Sequence, residues 1–187
     1  MPLLSTPPEL IRIANAIAKS KGRSILVGGA VRDHCMGRKS LKDFDVEIFG
    51  ISPEVLESVL QNFGNIHAVG KSFGVLKLKT SSAEYDFSLP RRENKAGKGH
   101  RGFMVRPDST MSYRDAASRR DFTVNSIGYD LLTKTLLDPF DGLGDIKHKI
   151  LRHVGPAFTE DPLRVLRAMQ FSARLEFKIA PETVQLC

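Results

Sequence analysis

Cysteine is scarce. Cys35 and Cys187 are the only two in 187 residues, too few for a disulfide framework or a four-thiolate metal site. A reducing, cytoplasmic setting is the expectation that follows. No apolar run approaches the roughly eighteen residues that a membrane-spanning helix needs, so no membrane partner is expected. The opening stretch MPLLSTPPELIRIANAIAKSKGR lacks the basic-then-apolar layout of a secretory signal. Internal repeats and low-complexity tracts are missing as well. Acidic residues are in deficit, 21 against 28 Lys and Arg, which leaves a net charge of +7. That balance favours polyanionic partners such as nucleic acid or nucleotides. What is present is ordinary for a folded chain, with 41% hydrophobic and 26% charged residues. The length suits one sizeable domain plus a short attachment.

Apolar spacing predicts a helix over residues 9–20, stopped before Gly22. SILVGG reads as a short buried strand, AVRDHCMG as a helical turn or two, and DFDVEIFG as a strand on the alternation of Phe44, Val46 and Ile48. A second amphipathic helix is expected over 53–63, with Pro53 in its first turn. IHAVG, GVLKLKT and AEYDFSL follow as strands. Residues 91–107, with three glycines and six Lys or Arg, read as a mobile loop. Ser112 and Asp115 form a capping-box pattern for a helix through the Ala-Ala-Ser-Arg-Arg stretch. FTVNSIGYDLLTKTLLDPFDG then supplies a short helix, a strand and a turn. A last long helix is expected over about Glu160–Leu175, its acidic first turn facing the helix dipole. The central strands follow one another over short linkers, so part of the sheet should be antiparallel. The final EFKIAPETVQLC reads as the opening of a further helix, as in a piece of a longer protein.

Asp43 and Asp45 stand two apart on the expected strand, which aims both carboxylates to one side. Such a pair repels itself unless a cation neutralises it, and Mg2+ prefers carboxylate oxygen. Taken alone, the pair equally suits two solvated acids where a strand begins. Upstream, Gly28 and Gly29 end a buried strand, and Val31, Arg32 and Asp33 open a helix. Glycine lets backbone approach a phosphate, and the first helical amides and the Arg32 fork can donate to it. A glycine pair is also a plain turn, and its spacing matches neither GxGxxG nor GxxxxGK[ST]. A phosphate cradle about ten to fifteen residues before a carboxylate pair suits phosphoryl or nucleotidyl transfer.

LVGGAVRD, DFDVE, RRDFTVNSIGYD, DPFDG and EDPLRVLRAMQFSARLEF occur in this order. Together they resemble the class II tRNA nucleotidyltransferase / bacterial poly(A) polymerase family, the CCA-adding enzymes among the DNA-polymerase-β-like nucleotidyltransferases. The likeness spans about residues 24–180. It implies an α+β fold with a mixed, largely antiparallel sheet. Residues 1–150 would form the catalytic head, and residues 151–187 the start of a helical neck that includes a nucleotide-selecting helix. It also implies Mg2+-dependent, template-independent addition of CCA, from CTP and ATP, to the 3′ end of tRNA. A-adding, CC-adding and poly(A)-adding enzymes share these motifs, and an RNA- or nucleotide-binding module without turnover is the other class of reading.

By the same resemblance, Gly28, Gly29 and Arg32 contact the triphosphate, with Asp33 as a structural partner. Asp43 and Asp45 hold two Mg2+ ions. Asp86 is the third catalytic carboxylate, at a position where many members have glutamate; on residues alone, a solvated edge-strand acid suits it equally. Arg119, Arg120, Asp121 and Asn125 meet ribose and phosphate, Arg120 nearest the triphosphate. Asp161 and Arg164 form the base-reading pair, expected three apart on one helical face and steadied by Glu160. Arg167 and Arg174 extend a basic stripe toward phosphate or primer, while Leu166, Met169 and Ala173 are assigned to the core. Gln170 departs from the arginine of many members. Lys95, Lys98 and Arg101 of the basic loop could approach RNA or nucleotide, and a solvent-exposed loop suits them equally. Cys35, with no base beside it, reads as a small buried hydrophobe.

Overall fold

The computed structural model describes residues 4–38, 43–69, 75–81, 83–95 and 103–187. Pro8 sets the first turn of helix α1 (Pro8–Lys19), and Leu10, Ile13, Ala14 and Ile17 recur on its buried side. Strand β1 (Arg23–Val27) follows, then helix α2 (Gly29–Cys35), strand β2 (Phe44–Phe49) and helix α3 (Pro53–Leu60). Ser52 caps α3 by accepting from the Val55 amide. Three consecutive strands come next: β3 (Asn65–Val69), β4 (Val75–Lys79) and β5 (Glu84–Ser88).

These strands join β8 (Gly128–Asp130) and β9 (Leu136–Leu137) in a seven-stranded sheet of order β3-β4-β5-β2-β1-β8-β9. All its pairings are antiparallel except β2 with β5. The parallel pair is possible because α3, β3 and β4 form a long connection between its members. The mixed, largely antiparallel sheet expected from short linkers is therefore what forms.

Period-two alternation divides the sheet into two unlike faces. Leu26, Val46, Ile48, Leu78, Tyr85 and Phe87 point into the main core, where the buried sides of α1, α2 and α3 cover them. On the other face Ile25, Val27 and Phe49 pack under Ala116 of helix α4 (Tyr113–Ala117). Gly128 is required there, since any Cβ would sit 2.5 Å from the Tyr113 hydroxyl. Ser112 begins α4 with the expected cap, accepting from the Asp115 amide at 3.1 Å and donating to its carboxylate at 2.7 Å. The helix stops at Ala117, so Ser118–Arg120 lie beyond it. Ser112→Ala should lower stability by about 1 kcal/mol, read as a shifted midpoint with unchanged slope in urea unfolding.

Residues 91–107, expected as a loop, instead supply strands β6 (Arg91–Lys95) and β7 (Phe103–Pro107), paired antiparallel from Arg91↔Pro107 to Lys95↔Phe103. Ladder hydrogen bonds use backbone groups alone, so a basic, glycine-containing composition does not forbid them. Lys98 and Arg101 lie outside the described residues.

A second, smaller core joins the RRDFTVN segment to the C-terminal part of the chain. Phe122 and Val124, at the 3-10 turn Thr123–Asn125, pack with Leu151, Phe158, Ala168, Phe171, Leu175 and Phe177. The Phe122 ring lies 5.8 Å from those of both Phe158 and Phe171. Helix α5 (Gly142–His148) leads into this region, its first amides at Gly142 and Leu143 held by the Asp138 carboxylate of DPFDG at 2.7 and 2.9 Å. Strand β10 (Ile150–Leu151) pairs in parallel with β11 (Lys178–Ile179), and the chain ends in the short helix α7 (Pro181–Val184).

The long helix differs from expectation in two ways. Helix α6 runs over Leu163–Leu175, preceded by a 3-10 turn over Pro156–Glu160. Asp161 has extended backbone and takes the Leu163 amide at 3.0 Å, so it stands before the helix rather than on its face with Arg164. The inward side of α6 is Ala168, Phe171 and Leu175. Leu166 and Met169, assigned to the core from sequence, are 62% and 61% exposed, and Ala173 is exposed as well. Phe171 decides the rotation, because its ring fills the space against Phe122. Among the described residues no helix is long and apolar enough to cross a membrane.

Candidate active site

The turn after β1 sits against the carboxylates of the next strands. Gly28 has φ 75°, and a Cβ there would meet the Asp45 carboxylate at 3.2 Å. Glycine therefore provides both the left-handed backbone and the close approach. Register sets the rest of the row: Val27 lies opposite Asp45, Asp45 opposite Asp86, and Asp86 opposite Lys77. Asp45 and Asp86 are side by side on neighbouring strands, about 4.8 Å apart in backbone spacing. Asp43 is not part of that alternation. It precedes β2 with φ 57°, a conformation few non-glycine residues adopt and one that stores strain. Asp43 and Asp45 thus do not present their carboxylates as two successive strand residues.

Asp45 titrates above the ordinary aspartate range. Desolvation is the main cause, followed by the charge of Asp86 and, behind the opposing pull of Arg120, that of Asp43. Although Asp45 as a whole is exposed, its carboxyl group feels the charges of Asp86, on the neighbouring interior strand, and of Asp43. Carboxylate oxygens brought together in this way fit a hard divalent cation, which would relieve their repulsion. The fit concerns Asp45 and Asp86 with Asp43 beside them. Among the described residues no group of three acids, histidines or cysteines is already gathered as a metal cage.

Next to this row, on the same sheet face, is a cavity of about 270 Å3 lined by Glu47, Ser88, Arg91, Arg119 and Arg120 among others. Buried Glu47 follows Asp45 by two residues and receives Arg120 at 3.4 Å. Arg120 also acts on Asp45 through its charge. Sequence reasoning passed over Glu47 and Lys77. Glu47 was legible, since strand alternation puts it on the face of Asp45. Lys77, 3.0 Å from Asp86, needed knowledge of which strands pair.

The remaining motif residues form a buried polar network behind the turn. Arg32 is 2% exposed. Its Nη1 donates to Asn125 at 2.7 Å, and its Nε and Nη2 to Asp33 at 3.0 and 2.8 Å. Asp121 accepts from the Phe122 amide at 2.8 Å and from the Asn125 side chain at 3.0 Å with one oxygen. With the other it takes Nε and Nη2 of Arg167, both at 2.7 Å. The guanidinium groups of Arg32, Arg167 and Arg174 all lie about 5 Å from the ring centre of Phe171 (5.2, 5.0 and 4.9 Å). The expected basic stripe is therefore wrapped around an aromatic residue of the second core. Arg164 donates to the carbonyls of Ala157 and Arg119 at 2.7 Å each, rather than to Glu160. Cys35 is half-buried against the main core, and burial, aided by Asp138, pushes its thiol up to about 11. A thiol so protonated at neutral pH is no nucleophile.

Residues 24–152 match the family model described as the poly A polymerase head domain. The chain belongs to the poly(A) polymerase head-domain family. The likeness inferred from the ordered motifs is thus established, and the head domain's sheet and flanking helices are the α+β architecture it implied. Among curated relatives, the multifunctional CCA protein of Xylella fastidiosa (strain 9a5c) is 46% identical over 167 residues, 88% of this chain and 38% of the relative. That of Stenotrophomonas maltophilia (strain R551-3) is 46% identical over 164 residues, 86% of this chain and 38% of the relative. The chain therefore spans under two fifths of the length of these relatives. Among solved structures, the CCA-adding enzyme of Bacillus stearothermophilus in complex with CTP superposes with a TM-score of 0.79 at 29% identity, covering 97% of this chain and 43% of that one. A tRNA nucleotidyltransferase complexed with a primer tRNA and an incoming ATP analog gives 0.74 at 30% identity, covering 93% and 48%.

Proposed function

We propose that this head domain serves Mg2+-dependent, template-independent addition of C, C and A, from CTP and ATP, to the 3′ end of tRNA. The observation that carries the reading is the in-register pair Asp45 and Asp86 at the Gly28 turn. Of the superposed enzymes, one is in complex with CTP and another with a primer tRNA and an incoming ATP analog. In the reaction the RNA 3′ oxygen bonds to the α-phosphorus of the nucleotide as the bond to pyrophosphate breaks, and the hydroxyl proton passes to solvent water.

Asp43 and Asp45 would hold two Mg2+ ions, with Asp86 as the third carboxylate. Bound there, Mg2+ would favour the deprotonated 3′ oxygen and offset charge on the leaving pyrophosphate. The chain's own part is to orient and neutralise. The glycines at positions 28 and 29 leave room for phosphate oxygens. Arg120, beside the acids, faces the triphosphate, with Arg119 in the wall of the same cavity. Arg32, Asp121 and Asn125 set the position of the turn and of the segment that bears those arginines. The catalytic head would be residues 1–150, and residues 151–187 the start of a neck carrying the nucleotide-selecting helix.

Base choice is assigned to Asp161 and Arg164. ATP and CTP present an amine beside an unprotonated ring nitrogen, so a carboxylate can accept from the first and a guanidinium donate to the second. Each terminal nitrogen of Arg164 keeps a second N–H after bonding one carbonyl. GTP and UTP offer the opposite pattern, and each mismatched buried group costs about 1–3 kcal/mol. The test is incorporation of labelled CTP and ATP into tRNA ending at the discriminator base, into tRNA ending in CC, and into an unrelated oligoribonucleotide. Sequential CCA addition to the first is expected; tails of A on all three would replace the reading with poly(A) synthesis. In competition among the four nucleotides, Arg164→Ala should narrow the preference for CTP and ATP about fivefold to a hundredfold. Equal loss for all four would remove Arg164 from base selection.

A further inference from the structure

Two cross-strand ion pairs lie on the same face of the β4–β5 ladder. Lys79 faces Glu84 at 3.4 Å, and Lys77 faces Asp86 at 3.0 Å. The first is an ordinary surface pair, with both side chains about two-thirds exposed (64% and 65%). The second differs in what lies beyond it. Asp86 has Asp45 as its other neighbour in the row, so Lys77 is the positive end of a lysine–aspartate–aspartate line across three strands. Two adjacent carboxylates on rigid strands cannot swing apart to relieve their repulsion. An ammonium bound to the outer one both reduces that repulsion and fixes the direction of the Asp86 carboxylate. The pair is half-exposed (45% and 33%), and exposed pairs of this kind shift an equilibrium by less than about fivefold. It is strong enough to orient Asp86 and weak enough to yield to a doubly charged ion.

We propose that Lys77 is a built-in counter-cation, a positioning residue that holds Asp86 ready beside Asp45 and gives way when a divalent ion binds there. The idea rests on the metal site of the preceding section and adds a competitor to it. Lys77 and Mg2+ contend for one carboxylate, so the lysine tunes the Mg2+ concentration at which the site fills. Removing it leaves the row one positive charge poorer and the ion unopposed.

The test is Mg2+ binding to the chain, by calorimetry and by the Mg2+-dependent rise in melting temperature, in five proteins. Lys77→Met keeps the aliphatic stem and should bind Mg2+ about three- to fivefold tighter than the parent. Lys79→Met, which removes the same charge from the same strand two residues away, should stay within about twofold of the parent, as should Lys77→Arg, which restores the cation. A Lys77→Met protein with unchanged or weaker Mg2+ affinity overturns the proposal, and so does an equal gain in Lys79→Met, which would reduce the effect to general surface charge. Asp45→Asn separates the two levels. Lost Mg2+ binding in Asp45→Asn together with a parent-like Lys77→Met removes the counter-cation alone, whereas retained Mg2+ binding in Asp45→Asn removes the metal site itself.

Discussion

Asp45→Asn should lose at least about a thousandfold in nucleotide incorporation, some 4 kcal/mol of transition-state stabilisation, while the metal-free protein melts no lower than the parent. The two effects have opposite signs because they come from one carboxylate. Asn keeps the shape and removes the charge that would hold Mg2+. In the ion-free protein, desolvation, Asp86 and Asp43 raise the Asp45 carboxyl above its unfolded value. The folded state therefore binds that proton more tightly than the unfolded state does. The stability this contributes is complete below the unfolded aspartate value and is lost as pH rises through the folded value. At pH 7 the parent without Mg2+ carries an ionised group in a place that disfavours it, and the amide does not. Melting curves with and without Mg2+, beside labelled-CTP incorporation, test both halves. Activity above about a tenth of the parent's, or an undiminished Mg2+ response, would take Asp45 out of the metal site.

Arg32→Ala should cost about 2–4 kcal/mol of stability, a fall in melting temperature of about 5–15 °C for a chain of this size. The motif LVGGAVRD suggested a hand extended to phosphate, yet the side chain is buried and already bonded to Asn125 and Asp33. Burial, the largest influence on it, pulls its pKa down from the usual arginine value, which marks a guanidinium kept from water. Truncation would leave the Asn125 amide oxygen without its donor and open a gap beside Phe171. Lysine should not restore stability, because it lacks the planar fork that reaches two partners. A melting temperature within about 2 °C of the parent, combined with a uniform loss of affinity for all four nucleotides, would instead make Arg32 a triphosphate ligand and not a strut.

Much of this head domain was legible from local pattern. Helical spacing marked α1 and α3, and alternation marked β2, because burial of one face imposes a period that the sequence must carry. The glycine pair, the capping Ser112 and the ordered motifs were legible for the same reason, since each depends on residues close together in the chain. Pattern failed where a residue's surroundings came from elsewhere. Strand β6 (RRENK) is polar and β7 (FMVRP) opens on an unbroken apolar run, so neither carries an apolar alternation to betray it. Helix α6 has apolar residues on more than one side, so its spacing alone could not say whether Leu166 and Met169 or Phe171 would turn inward; contact with Phe122 decided it. Asp86 was ambiguous as a lone acid, and the parallel pairing of β5 with β2 is what sets it beside Asp45 in the candidate site. The sequence by itself determined which elements form and which motifs they bear, through periodicity and short-range capping. Only the tertiary structure decided which strands are neighbours, and with them the row Lys77, Asp86, Asp45. Strand pairing is a long-range contact, and nothing in the local spacing of either strand encodes its partner.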